Sequence, residues 1–325
     1  MGSRSLNKGK QEDMLARVAN NLYWFGRYIE RAEHLSRYLN IQYFSALDTS
    51  SDLQRDLALK SIINMVGLEG DVASYDFEED ILVAVAMDEH NNASIKSCMH
   101  FARENARGAR DLISIEVWNA INKFYRFIHD YPEDFYKTKG LYDFTNTTIE
   151  NCAIIKYRVE STMLHDEIWA FVKMGFHIER AIQINRILIS KFTDIDRIDD
   201  MKVSQSVASF QLGTLLKSAE GLDMYHREYS IMPKRKEALE FMVLNARFPR
   251  SISYNVTALQ QYLLLVGLSK ETKKNSIEWS IGRMSERLKY QTVEEFEKEP
   301  LVFLNETLAY LNDLNDLLNK EYLNY

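Results

Sequence analysis

Helix-breaking residues are scarce in this sequence. The 325 residues include only 4 prolines and 12 glycines, and there is no proline between Pro132 and Pro233. Because proline interrupts helices and glycine weakens them, so few of either favours long helices. Apolar residues that recur at three- and four-residue steps, such as Leu15, Val18 and Leu22, indicate the same. The sequence therefore predicts an all-α protein, a bundle of long antiparallel helices.

The sequence also has few cysteines, no net positive charge and no long apolar run. The two cysteines, Cys98 and Cys152, lie far apart, which does not indicate a disulfide scaffold and fits a reducing compartment. A formal net charge of −7 disfavours a general nucleic-acid binder, which needs a basic surface. No apolar run reaches the ~18 residues needed to span a bilayer. We therefore expect a cytoplasmic protein with neither a nucleic-acid nor a membrane partner.

The order of helices follows from caps and periodicity. Asp13 is a suitable N-cap, and the polar residues 1–12 before it are predicted to be a disordered leader. Residues 81–87 fit a strand or a helix, and helix is preferred because no partner strand is predicted. Short linkers predict one domain over 13–325, or two packed halves with a boundary near 140. The predicted helices span about 13–47, 51–66, 77–87, 94–127, 145–163, 166–193, 201–222, 234–246, 250–266, 270–289 and 300–322.

An internal near-repeat is the most informative pattern. GRYIERA at residues 26–32 is matched by GFHIERA at residues 175–181, and Arg37 by Arg186. Both offsets are 149 residues, since 175 − 26 and 186 − 37 give the same number. Gly26 and its counterpart Gly175 would let a neighbouring helix come close.

The repeat also predicts a pairing of charges. Successive helical residues point about 100° apart, so the Glu and Arg of one doublet do not simply pair with each other. Two packed helices would instead pair Glu30 with Arg180 and Glu179 with Arg31. Such pairs fix helix register or take part in chemistry, and the sequence leaves both interpretations open.

Other arginines are candidates for binding an anion. Arg103, Arg107 and Arg110 stand at i, i+4 and i+7 of a predicted helix, and arginine binds carboxylate or phosphate with two hydrogen bonds. The alternative is a solvated face. Arg247 and Arg250 flank a helix start predicted at Pro249, where free backbone amides favour an anion, and the alternative there is a surface turn.

A pocket is predicted if these arginines meet the first helix. Arg27, Arg31 and His34 form a stripe beside Glu30, and it would face Arg103 and Arg107 across the bundle. Such a polar pocket is the default ligand site. Its predicted lining comprises Tyr23, Trp24, His34 and Asn105, with Arg27, Arg31 and Arg180 as further ligand-binding residues.

Metal and nucleotide chemistry have little support in the sequence. A di-iron bundle needs paired Glu-x-x-His motifs, and no histidine here has a glutamate three residues before it. Neither a phosphate loop nor a dinucleotide fingerprint occurs. We therefore expect no metal and no cofactor.

Four segments in order carry a family resemblance. They are residues 14–39 (MLARVANNLYWFGRYIERAEHLSRYL), residues 102–107 (ARENAR) followed by Trp118, Asn119 and Asn122, the second Glu-Arg block at 179–180, and residues 247–252 (RFPRSI). Together they resemble the alpha-E family, bacterial helical domains of unknown function with a Glu-Arg motif. The resemblance implies that genes or domains of this kind accompany a circularly permuted ATP-grasp ligase and a transglutaminase-like peptidase. It therefore implies a part in forming peptide or amide bonds.

Two functions from different classes stay open. The first is a helical accessory or binding module, which holds an anionic small molecule or peptide, or docks to an ATP-grasp ligase or transglutaminase-like protein, through the Glu-Arg and arginine faces. The second is an enzyme acting on a carboxylate or amide, with arginines orienting the substrate. Its candidate general bases are Glu30, Glu104 and Glu179. A purely structural subunit is a weaker third interpretation.

Overall fold

The structure, a computed structural model, describes residues 2–47, 52–66, 78–200, 205–229, 231–266 and 273–323. Helices make up most of these residues, and no β-strand occurs among them. The helices are α1 (Gly2–Leu47), α2 (Asp52–Val66), α3 (Glu78–Ala86), α4 (Ile95–Gly108), α5 (Ile115–Asp130), α6 (Glu133–Phe135), α7 (Leu141–Thr162), α8 (Glu167–Asp200), α9 (Gln205–Ser218), α10 (Leu222–Glu228), α11 (Arg235–Val243), α12 (Ile252–Val266), α13 (Ile277–Tyr290) and α14 (Pro300–Leu318). The all-α prediction is confirmed.

Two long helices, α1 and α8, form the centre of the bundle. They pack along each other, while α1 also contacts α4 and α7, and α8 also contacts α12 and α14. Apolar residues from all six helices belong to one continuous hydrophobic core. Neither central helix contains a proline, which allows α1 to run for 46 residues and α8 for 34. Predicted segment 81–87 is helical through Ala86, and the division into domains stays a prediction.

A serine cap splits one predicted helix in two. Ser94 accepts a hydrogen bond from the Ser97 amide and caps α4, as predicted. That helix ends at Gly108, and a short 3-10 turn follows. Ser114 then accepts a hydrogen bond from the Val117 amide and starts α5. The prediction of one helix over 94–127 is therefore wrong, because a second cap restarts the chain in a new direction.

Two helix starts also differ from the sequence prediction. Helix α1 begins at Gly2, so Asp13 lies inside it and is not its N-cap. No proline interrupts this segment. Helix α12 begins at Ile252, where the Ser251 hydroxyl accepts from the Tyr254 amide at 3.0 Å. Pro249 lies in the preceding turn and does not start the helix.

Within the residues that the structure describes, no helix is both apolar and long enough to cross a membrane.

Candidate functional site

The repeated glycines lie at the contact between α1 and α8. A Cβ added to Gly26 would lie 2.4 Å from the Val172 carbonyl oxygen, and one added to Gly175 would lie 2.2 Å from the Tyr23 carbonyl oxygen. Real Cβ atoms do not approach backbone so closely. The predicted close approach of these two helices is therefore confirmed, and it brings the residues that follow each glycine together.

The reciprocal pairs predicted from the repeat are present. Arg180 donates from Nε and Nη2 to the two carboxylate oxygens of Glu30, at 2.6 and 2.8 Å. Arg31 likewise donates from its own Nε and Nη2 to the two carboxylate oxygens of Glu179, at 2.6 and 3.1 Å. Both carboxylates are fully buried. Each pair joins α1 to α8, so the Glu-Arg doublets cross-link the two central helices as predicted.

Additional polar groups surround the first carboxylate. Lys156 of α7 donates to Glu30 and also to Glu33, one helical turn further along α1. His34 is buried, with its Nε2 3.6 Å from a Glu30 oxygen, and neither ring nitrogen has a hydrogen-bond partner among the described residues. Burial lowers the pKa of His34 well below its ordinary value, so this imidazole is neutral.

Glu33 extends the cluster toward the C-terminal half. It pairs with Arg37, and Arg250 donates to it at 3.0 Å. Both arginines also contact the half-exposed carboxylate of Glu220, which lies in the turn after α9 with a φ of 51°. This left-handed conformation is unfavourable for a side chain other than glycine. It places a carboxylate between two buried guanidinium groups.

The second carboxylate, Glu179, has its own shell. Arg27 donates from Nε to Glu179 at 2.7 Å, and Gln183 donates from Nε2 at 2.7 Å. Arg27 and the Tyr23 hydroxyl both donate to the Asn315 side-chain oxygen of α14. Each oxygen of Glu179 therefore accepts two hydrogen bonds, and the shell joins α1, α8 and α14.

Electrostatics keep these two carboxylates ionised. Burial by itself raises the pKa of Glu30, but Arg180 and Lys156 outweigh it and hold that pKa well below its usual range. Burial likewise raises the pKa of Glu179, and Arg31 and Arg27 outweigh it with the same result. A general base must accept a proton near neutral pH. With their oxygens occupied and pKa values lowered, Glu30 and Glu179 are unsuited to that role.

The near-repeat differs at one charged position that matters for pairing, and one of its arginines has no partner among the described residues. Arg37 pairs with Glu33, four residues before it. Its counterpart Arg186 has Ile182 at that place, since 33 + 149 is 182. Arg186 makes no hydrogen bond or ion pair with the residues that the structure describes. Burial and repulsion from Arg31 lower its pKa, against the attraction of Glu179.

Arg186 lines a cavity of about 570 Å³ beside the Glu179 shell. Helices α1, α2, α8 and α14 all contribute to its walls. The lining brings together three arginines and one carboxylate, with several hydroxyl and amide groups. These residues are Arg31, Asn64, Gln183, Arg186, Ser190, Thr193, Asp194, Arg197 and Asn305. A cavity with this excess of guanidinium groups fits a carboxylate or phosphate.

The arginines of α4 are not part of this site. Ala102 and Ala106 are the buried residues of its second half, so Arg103 and Arg107 point elsewhere. Arg103 donates to Asn122 at 2.9 Å and stacks on Tyr125 of α5. Arg107 is 65% exposed and pairs with Glu104. The prediction that this stripe faces Arg27 and Arg31 is wrong, because α4 buries its alanines instead.

Arg110, Asn105 and Arg247 also lie outside the predicted pocket. Arg110 follows the end of α4 and lies over Trp118, so it does not continue the Arg103–Arg107 face. Asn105 donates to the Phe101 carbonyl of its own helix and does not line the predicted pocket. Arg247 is 82% exposed and pairs with Glu228. Of the two arginines near Pro249, only Arg250 reaches the buried cluster.

Aromatic residues of the predicted pocket flank the Glu179 shell. Tyr23 is buried, and burial raises the pKa of its hydroxyl to about 12. The Arg27 guanidinium lies 4.6 Å from the Trp24 ring centre. The rings of Tyr23 and Trp24 both lie against the Arg27 guanidinium. Neither residue lines the cavity beside Arg186.

Sequence reasoning missed several residues of the site. Glu33, Lys156 and Gln183 were not candidates, and Arg186 was noted only as part of the repeat. Glu33 carried a signal, since Arg37 follows it at i+4 on the same face. The replacement of its counterpart by Ile182 carried another. Lys156 had none, because no local pattern on α7 shows which helix it faces.

Metal-ligand groups and cysteine thiols in the described ranges do not meet what a metal or nucleophile site needs. No group of three or more His, Cys, Asp and Glu side chains there could hold a metal ion. Cys98 and Cys152 are both buried, and burial raises the pKa of each thiol, to about 12 for Cys98.

His177 makes stability depend on pH. Its Nδ1 lies 2.8 Å from the Asn255 oxygen, and burial with nearby Arg180 lowers its pKa to about 3. An unfolded histidine titrates near pH 6.5. Between about pH 6.5 and 3 the unfolded chain binds a proton that the folded protein does not. The free energy of unfolding is therefore expected to fall with acid, by up to ~1.4 kcal/mol per pH unit.

Urea unfolding of wild type and His177→Gln between about pH 7 and 5 measures this slope. The variant should lose stability less steeply on acidification than wild type. Equal slopes for wild type and His177→Gln would contradict the assignment.

The fold and the site define an all-helical protein whose two central helices are joined by reciprocal glutamate–arginine pairs. A family model described as a predicted alpha-helical domain with a conserved ER motif matches residues 14–323. The chain belongs to the Alpha-E family, and the resemblance seen in the sequence is confirmed.

The chain is also similar to uncharacterized proteins of Mycobacterium bovis and of two Mycobacterium tuberculosis strains. Identity is 22% over 315 residues, covering 91% of this chain and 34% of each relative. The chain thus spans about a third of the length of the curated relatives it matches. No solved structure matches it.

Proposed function

We propose that this protein is a helical binding module that holds an anionic peptide and acts with an ATP-grasp-type peptide or amide ligase. The observation that carries the proposal is Arg186, a half-buried cation on the cavity wall with no partner among the described residues. Taking an unpaired charge out of water is unfavourable. A carboxylate supplied by a ligand is therefore the partner that Arg186 lacks.

The charges around the cavity support the same ligand class. The Glu179 shell beside it contains two arginines, Arg27 and Arg31, and one carboxylate. The cavity lining adds Arg186 and Arg197 against one further acid, Asp194. Such an excess favours an anion and disfavours a cationic or purely apolar ligand.

Binding rather than catalysis is favoured by the state of the acids. A carboxylate that accepts several hydrogen bonds from arginine is held as an ion and is not free to take a proton. Glu30 and Glu179 are both in this state. Glu104 lies away from the cavity and pairs with Arg103 and Arg107. None of the three candidate bases, Glu30, Glu104 and Glu179, therefore supports the general-base alternative.

The ligase partnership is supported by the family's association and by the length of the relatives. Their remaining two thirds provide room for further domains beside a region like this chain. Co-purification of an ATP-grasp ligase from the same organism tests the partnership, and a bait that retains no such ligase would count against it.

Peptide binding is tested by replacing Arg186. Arg186→Gln is expected to weaken the binding of a short glutamate peptide by roughly 10- to 100-fold, since a hydrogen bond to a charged group contributes about 1.5–3 kcal/mol. Isothermal titration calorimetry measures the affinity. Arg107→Gln is the matched control, because Arg107 is exposed on α4 and should leave the affinity unchanged. Unchanged affinity in Arg186→Gln would overturn the proposal.

A further inference from the structure

A stripe of polar side chains runs along α8 on the cavity wall. Arg186, Ser190, Thr193 and Arg197 all line the cavity, at i, i+4, i+7 and i+11. Eleven helical residues advance about 16 Å and return to within about 20° of the same face. The cavity therefore carries a guanidinium near each end of this stripe, with two hydroxyl groups between them.

Both end arginines are without an ion pair in the described part of the chain. Arg186 lacks the i−4 glutamate of its counterpart, and exposed Arg197 forms no ion pair with described residues. Asp194 is the single acid among the lining residues. It is buried, which raises the pKa of its carboxyl, while Lys191, 3.7 Å away, and Arg197 lower it. Asp194 is therefore shared between Lys191 and Arg197, and it forms no ion pair with either end of the stripe.

The cavity also offers an unused acceptor. Gln183 is 1% exposed, and its amide nitrogen donates to Glu179. Its side-chain oxygen has no hydrogen-bond partner among the described residues. A buried acceptor without a donor is unfavourable. A ligand with N–H groups, such as a peptide backbone, would satisfy it, whereas a simple inorganic anion without hydrogen would not.

We infer that the ligand is an extended acidic peptide with two carboxylates about four residues apart, one bound by Arg186 and the other by Arg197. This inference rests on the proposed function and specifies its ligand. An extended chain advances about 3.3 Å per residue, so a separation of four spans about 13 Å and places both side chains on one face. Glutamate side chains are long enough to cover the remaining few ångströms to the arginines.

A panel of capped pentapeptides tests the spacing separately from the charge. The spaced diacid has glutamate at its first and fifth positions and alanine between them. The adjacent diacid has glutamate at its first two positions, with the same net charge. Two monoacids carry glutamate at one end and glutamine at the other. Blocked termini ensure that only side-chain carboxylates contribute charge.

Wild type is expected to bind the spaced diacid at least roughly 10-fold more tightly than the adjacent diacid and both monoacids. Arg197→Gln should remove this preference while still binding a monoacid through Arg186. Because Arg197 is exposed, the variant is expected to keep its fold, which circular dichroism checks. Arg107→Gln should retain the full preference for the spaced diacid.

The failures are distinguishable. Equal affinity for the two diacids, or a preference that survives in Arg197→Gln, overturns two-point recognition. If binding of every peptide still requires Arg186, the proposed function stands without two-point recognition. If wild type binds none of the four peptides, both the inference and the proposed function fall.

Discussion

Glu30→Gln is expected to lower the free energy of unfolding by about 3–5 kcal/mol, the usual effect of breaking a buried ion pair on one side. Glutamine keeps the shape of the side chain but removes the charge that Arg180 and Lys156 share. Arg180 would stay in the bundle without its carboxylate partner, and Lys156 would keep only Glu33. Urea unfolding at neutral pH measures the loss.

Glu104→Gln is the matched control for this substitution. Glu104 pairs with Arg103 and Arg107 on the partly exposed surface of α4. Solvent screens such pairs, so the loss should be no more than about 1 kcal/mol. Equal losses in Glu30→Gln and Glu104→Gln would show that the buried cluster contributes no more than a surface pair.

A double-mutant cycle tests the reciprocal pairing itself. Arg180→Gln removes the other member of the Glu30 pair, so the double variant should lose less stability than the two single losses added together. A coupling energy of about 0.5–3 kcal/mol is expected for residues in one network. Additive losses would refute a direct pairing of Glu30 with Arg180.

Gly175→Ala is expected to destabilise the protein by at least about 3 kcal/mol, the upper part of the range for overpacking a core. The new Cβ would lie 2.2 Å from the Tyr23 carbonyl oxygen and 3.0 Å from the Arg27 amide nitrogen. Both are backbone atoms, so relief requires the whole helices to move apart. That movement would also lengthen the hydrogen bonds around Glu179.

Gly213→Ala provides the opposite outcome in the same experiment. Gly213 lies inside α9, and nothing comes within 4 Å of an added Cβ. Alanine is favoured over glycine in a helix by about 0.5–1 kcal/mol, so this variant should be slightly more stable than wild type. Wild-type stability in Gly175→Ala would contradict the close contact of α1 with α8.

The near-repeat made part of the site predictable. Two Glu-Arg doublets at equal spacing on packed helices have one simple way to neutralise each other, and the observed pairs of Glu30 and Glu179 follow it. The arginines of α4 were not predictable in the same way. Their spacing shows which helix face they share, but not which neighbour that face meets. Ala102 and Ala106 settle the question, because small residues let α4 bury that side.

The sequence thus determined the helical class, through its few helix breakers, and the pairing of the two doublets, through their equal places in the near-repeat. Tertiary structure alone decided which cations join Glu30 and Glu33, since Lys156 comes from α7 and Arg250 from the turn before α12. It also decided that Arg186 stands beside a cavity. The sequence shows that its counterpart's glutamate is replaced by Ile182, but only the packing of α2 and α14 around α8 encloses the space that this unpaired cation faces.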